Sequence, residues 1–262
     1  MSALIRTLAG SLCLLVLISV AGADGSSAAR LRRFAALPDW SGIWRSAAWP
    51  LGANGRVPGG EAQLRGSLQL LLPPPYNPEW GAKYATGVRD PSFAQKSATF
   101  KACTRSFPSL MEGPYMFETA VLPDETLLVF ENDQVRHIRT NGRGHPGADE
   151  LWPTRLGDSV GHWDGDTLVV DTIARLSSEP LAVRAWASLL SDRAHLVERL
   201  RMTNRNELED QLTIDDPVAF ARPWHMTLKF VRVTGLDRLI PTDCDENDRN
   251  PVVDGKLIIT PP

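Results

Sequence analysis

Ser159-Val-Gly-His-Trp-Asp-Gly-Asp-Thr-Leu-Val-Val-Asp-Thr172 is the stretch whose reading decides the fold. Two short runs of strand-forming residues flank Asp164-Gly165-Asp166, and Asp-Gly between such runs is a strong short-range hairpin signal. Thr167 to Ile173 is rich in β-branched residues, which suit a pleated, half-buried surface. Period two places Leu168, Val170 and Thr172 on one face of that strand and Asp171 on the other.

Working outward, the same pattern recurs. Asp39-Trp-Ser-Gly-Ile-Trp44 reads as a short opening strand. Phe117 to Leu122 and Thr126 to Glu131 read as strands around Pro123-Asp124-Glu125, and Gln134 to Thr140 as a third ending at Asn141-Gly142. Ala194 to Met202 and Glu207 to Asp215 form a hairpin around Thr203 to Asn206. Trp224 to Val233 follows, with Trp224, Met226, Leu228 and Phe230 on one face. A last run, Lys256 to Thr260, is expected to close the sheet. At least eight short antiparallel strands bury one face and limit exposed edges as a closed barrel or a sandwich. The expected fold is all-β, an antiparallel meander closing into a barrel, with one or two short helices.

The chain has 262 residues, 43% hydrophobic and 23% charged, with a formal charge of −3, so it can build a full core. A weakly acidic chain without a basic stripe is a poor nucleic-acid binder, since clustered Lys and Arg supply phosphate affinity.

The N-terminus reads as a signal peptide: Arg6 is the charged n-region, Leu12 to Val20 the apolar h-region, and Ala21-Gly22-Ala23 the cleavage site. The apolar run is shorter than the ~20 residues that span a bilayer, and Gly10 stands where a lipoprotein site around Cys13 would need leucine. Cleavage after Ala23 and a periplasmic or secreted protein without stable membrane insertion are therefore expected. Residues 24–38 read as a flexible leader and 39–262 as one barrel domain. Within it, 45–113 is an irregular wrap or lid punctuated by Pro58-Gly-Gly, Pro73-Pro-Pro, Asn77-Pro and Asp90-Pro. Glu61 to Leu72, Pro78 to Tyr84 and Ala182 to Leu190 could be short helices. Cys103 and Cys244 remain after cleavage, and in an oxidising compartment the pair reads as a disulfide, with two buried free thiols as the alternative.

The Gly-x-Trp of Asp39-Trp-Ser-Gly-Ile-Trp44 is similar to the opening of lipocalin-type (calycin) barrels. Further blocks resemble a largely uncharacterised family of exported bacterial proteins: Asn141-Gly-Arg-Gly-His-Pro146, the hairpin from Ser159 to Thr172, Val197-Glu-Arg199, Thr213-Ile-Asp-Asp-Pro217, Arg222-Pro-Trp224 and Cys244-Asp-Glu-Asn247. The resemblance spans about Asp39 to Asn247 and implies a lipocalin-like barrel, with no active site to transfer. This chain departs from it where Asp158 replaces a usual His, and where Leu190-Ser191 stands near a usual His-Ser pair.

Gly157-Asp-Ser-Val-Gly161 matches the G-x-S-x-G pattern of hydrolases, but that elbow needs a helix after it and a hairpin follows here. Ser159 reads as a strand residue, and Gly161 as space for a neighbouring ring. Glu198 shares a face with Leu196, Leu200 and Met202. A carboxylate there is either ion-paired with an arginine or a general acid or base of raised pKa. His195 falls on the opposite face. Among the five histidines, His145 lies in a loop and is the best single acid/base candidate. No histidine spacing supports zinc. Asp243, Asp245, Asn247 and Asp254 imitate a calcium loop but lack its glycine. No metal or cofactor is expected. Trp44, Trp163 and Trp224 are the candidate ligand contacts at a barrel mouth.

Two functions follow. One is an exported protein holding a small apolar or aromatic molecule in a barrel cavity. The other is a cofactor-independent periplasmic isomerase, dehydratase or lyase that uses Glu198 or His145 as its general acid or base.

Overall fold

The computed structural model describes residues 21–47, 74–89, 106–112, 115–177, 190–240, 252–253 and 256–257. Two compact units divide the chain, residues 1–36 and 37–262. In the first, residues 21–35 form α1 (Ala21–Ala35), which covers most of the 24–38 leader. Its alanines favour helix, and Arg32 and Arg33 in the last turn complement the helix dipole. No described helix is long and apolar enough to cross a membrane.

The second unit is a closed barrel of nine strands: β1 (Ile43–Ser46), β2 (Met116–Val121), β3 (Glu125–Phe130), β4 (Val135–Arg139), β5 (Asp158–Asp164), β6 (Thr167–Ile173), β7 (His195–Asn204), β8 (Glu207–Asp215) and β9 (Trp224–Arg232). Closure comes from β9 pairing with β1, through Trp44–Arg232 and Ser46–Phe230. The expected closing run near Lys256 instead forms a two-stranded sheet of β10 (Val252–Val253) and β11 (Lys256–Leu257). Pro78 to Tyr84 is helical as expected, within α2 (Pro78–Arg89), and Ser109–Glu112 forms the short α3. The possible helices at Glu61 to Leu72 and Ala182 to Leu190 lie almost wholly outside the described residues. Cys103, Cys244 and the four calcium-like residues Asp243, Asp245, Asn247 and Asp254 lie outside them altogether.

Alternation is clearest in β9, where Trp224, Met226, Leu228 and Phe230 are buried and His225, Thr227 and Lys229 are exposed. With β-strand side chains on alternate faces, the inward apolar residues of the strands merge into one cluster, which also encloses the buried Arg136, Glu198 and Asp210. Phe117 packs on Phe130 and edge-on to Phe230, with centroids 5.3 and 5.2 Å apart. In a barrel of about this strand number, side chains are enough to fill the interior.

The organising hairpin has β5 and β6 in register from Asp158–Ile173 to Asp164–Thr167. The turn therefore consists of Gly165-Asp166, with Gly165 at φ 63°. Glycine at the first central position is what a type II′ turn requires. Gly161 makes room for Ile138 and the Val169 carbonyl rather than for a ring: a Cβ there would lie 2.8 Å from that oxygen and 3.1 Å from the Ile138 side chain. Gly161→Ala is expected to cost about 1–3 kcal/mol by overpacking. A urea midpoint equal to the parent's would refute this.

One strand pair departs from the expected meander. β4 and β5 run parallel, through Ile138–Ser159 and Arg139–Val160. A hairpin at Asn141-Gly142 would have made them antiparallel, but residues 140–157 carry the chain back to the other end, as a parallel crossover requires.

Candidate functional site

The parallel ladder is short, and a cavity of about 390 Å³ opens beside it, lined by residues 134–137 at the start of β4 and 154–159 leading into β5. Four arginines, Arg136, Arg139, Arg143 and Arg155, stand on the lining against one carboxylate, Asp158. Val135 and Leu156 add apolar surface. The segment before β5 is fastened to the extension of β6: Thr154 N–H donates to the Ala174 carbonyl (2.9 Å) and Leu176 N–H to the Thr154 carbonyl (2.7 Å). Beside that junction Arg175 is buried, and desolvation pulls its pKa down to about 10 against the opposing pull of Asp216.

Arg136 points inward from β4 and is 1% exposed. Its Nη1 donates to Glu198 Oε1 (2.8 Å) and its Nη2 to Glu198 Oε2 (2.5 Å), Thr172 Oγ1 (3.0 Å) and Ser159 Oγ (3.2 Å). The two hydroxyls are 2.9 Å apart, and Phe107 covers the guanidinium face at 3.7 Å. Glu198, 0% exposed, is thus one half of a buried ion pair whose partner sits three strands away. Ser159 is a strand residue with its hydroxyl in this network, so the G-x-S-x-G match is not a nucleophile elbow.

On the outer face the crossover loop folds back onto β5 and β6. His145 Nδ1 meets Asp158 Oδ1 at 2.7 Å and its Nε2 meets Asp171 Oδ1 at 3.1 Å, while the other Asp171 oxygen meets His195 Nε2 at 2.9 Å. Arg143 Nη2 donates to Asp158 Oδ2 at 3.2 Å. Both nitrogens of His145 face carboxylates, so both can donate only when the ring carries two protons. His195 does face away from Glu198, and Asp171 lies outside the barrel, as the alternation requires. Asp158 supplies the carboxylate that holds His145.

No protein-family model matches this chain, and no curated protein matches it.

The three candidate tryptophans do not converge, and none lines the cleft. Trp44 is fully buried, donates to the Trp40 carbonyl (2.9 Å), and carries Arg232 over its ring at 4.3 Å. Trp163 packs edge-on to Trp40, centroids 5.0 Å apart. Trp224 is buried against Phe220 at 6.0 Å. Ser191 is structural too: its N–H and Oγ each donate to buried Asp216 at 2.7 Å, and that carboxylate also caps Val218 and Ala219. Among the described residues no group of three His, Cys, Asp or Glu is placed to hold a metal.

Sequence reasoning missed the arginines. Arg136 shares the inward face of β4 with Ile138, so the period-two argument that found Glu198 was available for it. Arg139 and Arg143 carried no such signal. On the cleft's outer rim, Glu125 accepts from His137 and Arg139, and the His137 hydrogen bond above all holds its carboxyl below the usual range.

Proposed function

We propose that the protein is an exported barrel that binds a small molecule with an apolar or aromatic body, and that the cleft between β4 and β5 is where it binds. The observation that carries this reading is the 390 Å³ cavity at the parallel seam, a size within the roughly 300–1,000 Å³ of small-molecule pockets. Leu156→Trp, which puts an indole into that cavity, tests it. The variant is expected to keep the parent's circular dichroism and lose the small molecules that native mass spectrometry finds on the purified parent. Retention of those molecules at parent levels would count against the cleft. Export is tested by the intact mass of the mature chain, expected to begin at Asp24.

One observation favours the alternative, a cofactor-independent isomerase, dehydratase or lyase. Asp158 belongs both to the cleft lining and to the chain that runs through His145 and Asp171 to His195. Such a chain can hold or pass a proton without a cofactor. Under this reading His145→Ala keeps binding and abolishes conversion of the bound molecule. Under the carrier reading the molecule is recovered unchanged from both proteins.

A further inference from the structure

We infer that the cleft between β4 and β5 selects small organic anions, a single carboxylate on a short apolar or aromatic body. This rests on the cleft being a ligand site, as proposed above.

The ground is the charge of the wall. Besides the buried Arg136, three arginines (Arg139, Arg143 and Arg155) line a space of about 390 Å³ against Asp158, with Glu125 beside Arg139, and a concave wall with an excess of one sign concentrates ions of the opposite sign. The internal partners of Arg143 and Arg139 do not use up their donors. Arg143 reaches Asp158 through Nη2 alone, and Arg139 reaches Glu125 through Nη1 alone. Each guanidinium therefore keeps part of its planar fork of N–H groups, the geometry that matches a carboxylate in two parallel bonds. At 44% and 37% side-chain exposure, both are reachable without unfolding anything.

Arg136 also belongs to the lining, but it is 1% exposed and its charge is taken up by Glu198, so recognition falls to the arginines nearer the surface. Opposite in character, Val135 and Leu156 offer apolar contact to whatever carries the anion. A cation would meet the half-exposed guanidiniums of Arg139 and Arg143, and a neutral molecule would leave their forks to water.

Matched probes on the full chain separate the two levels of the claim. Benzoate, benzamide, hexanoate, hexanamide and inorganic phosphate are titrated by calorimetry at low and moderate salt. Both carboxylates are expected to bind at least about tenfold more tightly than their amides, the loss that follows when one charge-assisted hydrogen bond is removed. Added salt is expected to weaken the carboxylates and leave the amides unchanged. Arg143→Gln and Arg139→Gln, both at half-exposed sites, are each expected to lower benzoate affinity by about tenfold at an unchanged melting temperature. Equal affinity for acid and amide would overturn the anion inference and leave the ligand site standing. Phosphate binding as tightly as benzoate would overturn it as well, since the apolar wall would then contribute nothing. If none of the five probes binds at a few millimolar, the cleft is not a small-molecule site and both readings fall.

Discussion

Glu198→Ala is expected to lower the unfolding free energy by about 3–5 kcal/mol, the cost of leaving one member of a buried ion pair alone. Both carboxylate oxygens receive Arg136, and both side chains are sealed from water, at 0% and 1% exposure. Without Glu198 the guanidinium keeps only the Ser159 and Thr172 hydroxyls, and Phe107 covers one of its faces. The joint variant Arg136→Met/Glu198→Leu is expected to return to parent stability or exceed it, since apolar residues of similar volume often replace a buried pair at no cost. Ser159 and Thr172 keep each other as partners at 2.9 Å. Urea unfolding of the single and joint variants decides the matter. A single variant within about 1 kcal/mol of the parent would mean the pair is not sealed as described. Any loss of activity in a Glu198 variant therefore has to be read against its folded fraction.

Trp44→Ala is the second large effect, again about 3–5 kcal/mol, the usual cost of deleting a buried aromatic ring. Trp44 stands in register with Phe117 on β2 and with Arg232 on β9, at the point where the barrel closes. Its ring carries the Arg232 guanidinium, which also donates to the carbonyls of Ser41 and Arg205. Gly42, at φ 109°, is what lets that guanidinium approach, since a Cβ there would come within 2.6 Å of it. Truncating the ring opens a cavity and releases the clamp between the first and last strands. Trp44→Phe retains most of the packing and is expected to lose about 1 kcal/mol with the hydrogen bond to Trp40. A melting temperature unchanged in Trp44→Ala, together with weakened ligand binding, would instead make Trp44 a ligand contact.

Most strands were legible because their signals are local. Thr167 to Ile173 and Glu207 to Asp215 occur with the bounds their alternation predicts. The faces of Asp171, His195, Glu198 and Trp224 follow from period two alone. Less legible was the direction of β5. Asn141-Gly142 ends β4 as expected, with Gly142 at a positive φ of 82°, yet the chain continues through the crossover to a parallel partner rather than an antiparallel one. Turn chemistry sets the local bend, while the destination of a connection depends on what it packs against.

The candidate site divides along the same line. Glu198 was visible as an inward carboxylate and His145 as a loop histidine. Their partners, Arg136, Asp158 and Asp171, come from strands separated in sequence by 13 to 62 residues.

By itself, then, the sequence determined an all-β chain of meandering strands, which side chains face in, and the presence of a buried carboxylate, because strand periodicity and turn chemistry act between near neighbours. Only the tertiary structure decided that Glu198 is paired with Arg136, that Asp158 and Asp171 bracket His145, and that an arginine-lined cleft opens at the seam of β4 and β5. Barrel closure brings distant strands into contact, and no short-range pattern encodes which of them will meet.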